Sequence, residues 1–329
     1  MTDMNDVARL AGVSRGSVSN YINGVKVKES TRIKVEAAIK ELNYVPNMAG
    51  RFLKTQKSDI VVFILPTIWN PFFSELAFYL EKELRNHQLK MILCNSEDDY
   101  RQEMEYINMA KEQKVQGIIT ISYSDISPYI TSDIPIVSIE RYFNNKIPYV
   151  TSNNFQGGEL AADVLHRLGA KRLLMVGRDI ENNLGVIERL NGFKSFCLKY
   201  NLSFGTFVER SDSEDFKKNL KKEIQKIYSQ SVKYDGIFAA TDRYAQYCIN
   251  SLSELGIQIP KDVQIIGFDG AKNFKNEEQL VSSIRQPVKQ IAEISVKELL
   301  QLPRTKEQIQ KKHILPVTFT EGITTKRES

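Results

Sequence analysis

Apolar positions follow two regimes along the chain. Through residues 1–45 they are spaced for short helices: Val7, Leu10 and Ala11, then Val18, Tyr21 and Ile22, then Ile33, Val35, Ala37, Ala38, Ile39 and Leu42. Asp3 or Asn5 can cap the first helix, and Gly12 ends it. Val13 packs inward and Ser14 caps the second helix, residues 15–22. Asn23-Gly24 is a turn before the third helix, residues 29–42. Three short helices, the first two joined by a glycine-containing turn, make a helix-turn-helix head. Its second helix presents Arg15, Gly16, Ser17 and Asn20 from its N-terminal end.

From residue 60 short apolar runs alternate with longer amphipathic stretches. Strands are predicted at 60–65, 90–94, 117–121, 134–138, 172–176, 236–239, 263–267 and 282–285. Helices are predicted at 72–86, 101–114, 155–168, 186–200, 214–229, 242–255 and 288–300. This alternation implies parallel sheets with helices on both faces, and so many strands fit two doubly wound subdomains better than one sheet. No internal repeat of roughly 20–50 residues is visible. The expected fold class is α/β: a three-helix head, then two doubly wound parallel-sheet subdomains. The expected boundaries are 1–45 for the head, 46–58 for a hinge and linker, and 59–329 for the core. Within the core, subdomain one takes about 59–153 plus 287–312, and subdomain two about 154–286 plus 313–326.

Charge sharpens the division. Residues 1–57 hold ten Lys/Arg against five Asp/Glu, so the whole chain's excess of +5 sits there and the remainder is balanced. A basic folded head on a neutral body is the electrostatic footprint of a nucleic-acid binder. The longest apolar run, residues 60–65, is far short of the roughly 18 residues a membrane span needs. The N-terminus has no apolar signal-peptide core, so a cytoplasmic location is expected. Cys94, Cys197 and Cys248 read as buried free thiols. His87, His166 and His313 lie near no cysteine pair or HExxH pattern, so neither a metal site nor a cofactor is expected.

In doubly wound sheets a ligand binds beyond the carboxyl ends of the strands. Those ends carry residues 66–73, Ser122, Glu140-Arg141, Gly177, Thr241-Asp242 and residues 267–269. Aromatic faces beside paired hydrogen-bonding side chains suit a sugar, with its C–H faces and belt of hydroxyls. An enzyme is the competing class, and Asp242 and Asp269 its best carboxylates. Against it, the body lacks GxGxxG after the first strand, GxxxxGK[ST] and GxSxG. No catalytic residue is therefore assigned.

The run DVARLAGVSRGSVSNYING followed by TRIKVEAAIKELNYVPN resembles the lactose/galactose repressor family of bacterial transcription factors. The body segments NPFFSELAFYLEKEL, VQGIIT, GGELAADVL, RLNGFK, YDGIFAATD, IPKDVQIIGFDG and SSIRQPV resemble its periplasmic-binding-protein-like core. Within the family, NNFQGGELAA, IIGFDG and SSIRQPV look closest to sucrose-operon repressors.

The resemblance implies a DNA-binding set of Ser14, Arg15, Gly16, Ser17, Asn20 and Asn23 in the head, with Asn47 and Leu53 in a hinge that enters the minor groove. Arg15, Gly16 and Asn20 stand where relatives read bases. Gly16 has no side chain to read with and Asn20 replaces the usual Arg, so a different operator half-site is expected. Gly50 replaces the usual Ala in the hinge. The implied effector pocket takes Phe72 and Phe73 as walls, with Glu140, Arg189, Asp242 and Asp269. Glu140 replaces the usual Asp and Thr241 the usual Asn, which changes the reach around the hydroxyls.

The implied activity is repression of a carbohydrate-utilisation operon. The implied partners are a pseudo-palindromic double-stranded operator, a small sugar or sugar phosphate, and a second copy of the chain. A global regulator needing a phosphocarrier protein is the alternative within the same family. The sequence closes on TTKRES without leucine heptads, so a dimer rather than a tetramer is expected.

Overall fold

The computed structural model describes residues 2–45, 58–124, 126, 134–143, 147–179, 184–229, 233–272, 277–302 and 311–327. It divides into two compact units, Met1–Lys57 and Ser58–Ser329.

The first unit holds α1 (Met4–Ala11), α2 (Arg15–Ile22) and α3 (Glu29–Glu41). Asp3 opens α1 with a capping box: its carboxylate accepts from the backbone N–H groups of Asn5 and Asp6, and the Asp6 carboxylate accepts from Asp3 N–H. Gly12 closes α1 in the left-handed conformation at φ 61°, which glycine adopts without a Cβ penalty. Ser14 caps α2 by accepting from Ser17 N–H at 3.1 Å. A small core of Val7, Ala8, Ala11, Val18, Val35, Ala38 and Tyr44 joins the three helices, with Val13 and Tyr21 packed on its edge. Leu10, expected on the inner stripe, is exposed. The stripe instead runs Met4, Val7, Ala8, Ala11, the i, i+3, i+4, i+7 spacing of one helix face, and Leu10 falls outside it.

The second unit contains two six-stranded sheets. The first orders β11-β5-β4-β3-β1-β2, with β1 Ile60–Leu65, β2 Lys90–Asn95, β3 Gly117–Thr120, β4 Ile136–Ile139, β5 Tyr149–Ser152 and β11 Lys312–Leu315. The second orders β12-β10-β9-β8-β6-β7, with β6 Arg172–Arg178, β7 Ser203–Glu209, β8 Gly236–Ala239, β9 Gln264–Asp269, β10 Ser283–Arg285 and β12 Thr318–Thr320. Every pairing is parallel except β10 with β12. The helices are α4 Pro71–Asn86, α5 Tyr100–Glu112, α6 Asn154–Arg167, α7 Leu184–Lys199, α8 Ser213–Ser229, α9 Asp242–Glu254 and α10 Val288–Gln301.

The two halves repeat one topology. Read from the β2 edge and the β7 edge, both run second strand, first, third, fourth, fifth, and both end on a late strand. The chain crosses between halves three times: from β5 to α6, from β10 to α10, and from β11 to β12. Each half has its own buried core, one built around Phe193, Phe238 and Phe268, the other around Phe63, Phe72 and Leu76.

One packing detail places a functional side chain. Gly158 of α6 and Gly192 of α7 let the two helix backbones touch: a Cβ at Gly158 would lie 1.9 Å from Arg189 O, and one at Gly192 1.9 Å from Phe155 O. That close crossing brings Arg189 of α7 against Asn154 at the start of α6. Cys94, Cys197 and Cys248 are buried and unbridged. No helix among the described residues is long and apolar enough to cross a membrane.

Candidate functional site

The carboxyl ends of both parallel sheets open onto one cavity of about 650 Å³. Phe72, Phe73, Glu140, Arg189, Asp242 and Asp269 all line it. The first half contributes the two phenylalanines and Glu140; the second contributes the others.

Glu140 follows β4 and Asp269 ends β9, equivalent fourth strands of the two halves. Both take a backbone conformation that L-residues avoid, with φ 65° and 111°. Such strain persists where surrounding structure fixes it, and it clusters at ligand sites. Here it turns a carboxylate from each half into the cleft. Phe72 and Phe73, at the start of α4, pack 5.5 Å apart between centroids and form an apolar wall.

Arg189 is the centre of the site, and only 4% of it is exposed. Its guanidinium lies 3.5 Å over the Phe268 ring. Nε donates to Asn154 Oδ1 at 2.8 Å and Nη1 to Ala240 O at 2.6 Å. Nη2 stands 3.7 Å from Glu140 Oε2, an ion pair across the halves that is too long for a hydrogen bond. That end of the fork keeps donors for a ligand.

Asp269 Oδ1 accepts from Gln286 Nε2 at 2.8 Å, and Gln286 Oε1 accepts from Ser152 Oγ at 2.7 Å, again bridging the halves. Asp242 lines the cavity too, but both its oxygens are engaged: Gly270 N–H donates to Oδ2 at 2.8 Å and Ser283 Oγ to Oδ1 at 2.6 Å. Its carboxylate ties α9 to the β9–β10 connection.

Two buried carboxyls, Glu140 and Asp269, thus flank one guanidinium, and Asp242 adjoins Asp269. Burial pushes Asp269 up to about 7, against the pull of Arg189. Burial and then the charge of Asp269 push Asp242 well above the usual carboxylate range. Burial also raises Glu140, opposed by Arg189. Desolvation therefore dominates, and the acids of the second half titrate as a pair that holds a proton near neutrality. Such a site offers both kinds of hydrogen-bonding group: fork donors and a protonated carboxyl to donate, carboxylate oxygens to accept.

A third link between the halves is a bidentate pair of Arg285 with Glu75 of α4, with Nη1 2.8 Å from Glu75 Oε2 and also donating to Gly270 O at 2.7 Å. Gln286, Arg285 and Tyr123, which lies in the cavity wall, did not stand out as candidates from the sequence. The signal available was the break of SSIRQPV where the chain crosses between sheets.

In the head, Ser14, Arg15, Gly16 and Asn20 are exposed along the first turns of α2. Arg15 and Asn20 have no side-chain partner among the described residues. A Cβ on Gly16 would meet only Ser14 Oγ, at 3.7 Å, so packing does not demand glycine there. The Ser17 hydroxyl pairs with Ser14 Oγ at 3.0 Å. Asn23 turns its amide back onto Ser19 O at 2.7 Å, closing the end of α2.

Residues 3–47 match the family model described as bacterial regulatory proteins, lacI family, and residues 162–325 match that of a periplasmic binding protein-like domain. The sucrose operon repressor of Streptococcus mutans is 36% identical over 325 residues, covering 97% of this chain and 98% of its own length. The chain belongs to the lacI family. The ribose operon repressor of Lactococcus lactis is 32% identical, with both chains fully covered. Among solved structures, the Lac repressor dimer bound to operator and an anti-inducer superposes with a TM-score of 0.83 at 19% identity, covering 98% of this chain and 99% of that one. That likeness is one of fold: head plus two α/β halves. Of the lacI-family positions expected to touch DNA, Asn47 and Leu53 lie outside the described residues, as does Gly50.

Proposed function

We propose that this lacI-family chain represses a carbohydrate-utilisation operon and that a sugar bound between the halves of its core sets its operator affinity. The observation that carries the reading is the arrangement at the cleft floor. Strained, buried Glu140 and Asp269, one from each half, flank an Arg189 whose fork is only partly used. Adjacent ring hydroxyls match a guanidinium fork, and facing carboxyls accept their protons. The Phe72–Phe73 wall suits the C–H face of a ring. The names of the relatives, repressors of sucrose and ribose operons, support the same class of effector.

On this reading Arg15 and Asn20 read base edges in the major groove and bare Gly16 lets the backbone approach the DNA, while Ser14, Ser17 and Asn23 shape α2. A dimer binds a pseudo-palindrome, because two-fold operators mirror two-fold proteins. The sugar acts by favouring one closure of the halves over the other. Glu140–Arg189, Ser152–Gln286–Asp269 and Glu75–Arg285 are the contacts that differ between closures.

The test begins with selection of a half-site from random duplex DNA by the full-length protein. Fluorescence anisotropy on that duplex then follows release by a panel of sugars and sugar phosphates. The expected result is tight binding of DNA by the protein alone, a log–log salt slope of roughly −4 to −8, and a shift in affinity with one sugar class. DNA binding indifferent to every sugar, with no sugar bound by calorimetry, would refute the effector role of the cleft.

A further inference from the structure

The chain has one tryptophan, Trp69, and it stands at the mouth of the cavity with 92% of its surface exposed. Its backbone is braced rather than loose. Trp69 N–H donates to Thr67 Oγ1 at 3.1 Å and Ile68 N–H to Asn95 Oδ1 at 2.9 Å. Ser74 Oγ donates to Ile68 O at 2.5 Å, and Asn70 caps the helix that follows. A fixed loop therefore holds out a large apolar ring that makes no ring contact among the described residues. Beside the exposed Ile68, this indole puts a broad apolar face directly on the cavity rim, where a ligand in the cleft could cover it.

The mouth supplies polar groups beside that ring. Arg243 lines the cavity on the opposite half, and among the described residues its side chain makes one hydrogen bond, from Nε to Tyr247 Oη at 2.7 Å. Asp98 of the first half and Arg178 of the second also line the mouth, within electrostatic reach of each other. An aromatic face with an arginine fork and a carboxylate is the same combination found at the cleft floor, where Phe72, Arg189 and Asp269 lie. The cavity of about 650 Å³ joins the two sets. That volume sits within the ordinary range of small-molecule pockets, about 300–1,000 Å³, and leaves room for a ligand of more than one ring.

We infer that Trp69 and Arg243 form a second, outer sugar subsite, and that the effector is a disaccharide with one ring on the Arg189 floor and the other stacked on Trp69. The inference rests on the sugar reading of the cleft and goes further by fixing the size of the ligand and the residue that selects it. Trp69 acts on affinity through stacking, so its contribution is specific to the second ring.

The single tryptophan provides the experiment. Its emission in the full-length protein reports on the mouth alone, while calorimetry reports on the whole site. Both are followed during titration with sucrose, maltose and cellobiose, and separately with glucose, fructose and ribose. The expected result is one disaccharide binding about tenfold or more tighter than its component sugars, with a change in Trp69 emission that the components do not cause. By calorimetry, Trp69→Ala loses that advantage and leaves monosaccharide affinity within about twofold, and Trp69→Phe recovers most of it. A monosaccharide that binds as tightly as any disaccharide would overturn the outer subsite and leave the sugar reading standing. So would unchanged disaccharide affinity in Trp69→Ala, or a disaccharide preference with silent emission. Calorimetry showing no sugar bound at all would remove the sugar reading and this inference together.

Discussion

The head and the core solve opposite problems with their functional side chains. In the head, Arg15 and Asn20 stand in solvent on a capped helix, without side-chain partners among the described residues. In the core, Glu140, Arg189 and Asp269 are buried, bonded to one another's neighbours and, for the two acids, held in a costly backbone conformation. On the proposed function, exposed readers would add affinity for DNA and contribute little to folding, whereas the buried groups would bind and fold in one network, so that their loss would be felt in both. Stability and recognition would then be separable in the first unit and entangled in the second.

The sharpest way to break that contrast is Arg189→Ala. Removing the cation leaves buried Glu140 and Asp269 without their guanidinium, and breaking a buried pair from one side costs about 3–5 kcal/mol. The expected outcome is a core destabilised by that order in urea unfolding, together with loss of sugar binding by calorimetry. Unfolding at the wild-type midpoint would place Arg189 with the exposed readers.

Arg15→Ala tests the other side. Operator affinity should fall by about 1–3 kcal/mol if the guanidinium contacts a base edge bidentately. Sugar affinity and the urea midpoint of the core should stay put. A loss shared equally by all DNA sequences would reassign Arg15 to a phosphate contact.

Ser14→Ala removes the cap of α2 and should lower the stability of the head by about 1 kcal/mol, read from its thermal transition in the full chain. It is the one substitution in the head expected to mix folding with binding, because Ser14 opens the helix that presents Arg15.

The last test reads a change of slope. Burial raises Asp269 from the ordinary 3.8 to about 7, so the folded core holds a proton that the unfolded chain releases. This pair therefore favours folding less and less as pH rises from about 4 to about 7. Asp269→Asn should flatten core stability across that window relative to wild type, and the head's transition should show no such difference. An identical pH profile for the variant would mean that the pair does not share a proton.

Sequence pattern located most of this architecture because its physics is local. Apolar runs such as residues 60–65 and 236–239 are buried on both faces and read as strands directly. The strands that escaped, β5, β7, β11 and β12, carry no such run. β7, β11 and β12 are edges with half-exposed, mixed residues, and β5 is four residues rich in hydroxyls. The shared topology of the two halves was invisible for a similar reason: it lies in strand order, which leaves no residue-level period. Motifs such as IIGFDG and RLNGFK pointed to Asp269 and Arg189. They did not reveal that Asp242 spends its oxygens on Gly270 and Ser283, or that Gln286 links Asp269 to Ser152. Those facts depend on which segments meet after three crossings, and no local window contains them.

The three crossings also set a schedule for synthesis. The head and β1 through β5 leave the ribosome early, yet the first half still lacks its final edge strand and the face of α10 that supplies Ile291, Ala292, Val296 and Leu299 to its interior. At about 5–20 residues per second, the stretch from Ser152 to Leu315 takes roughly 8–30 s to emerge. Throughout that interval the head, which closes on its own small core, can be complete while the body that would hold the effector is not, so a nascent or prematurely ended chain carries the helix-turn-helix without the cleft.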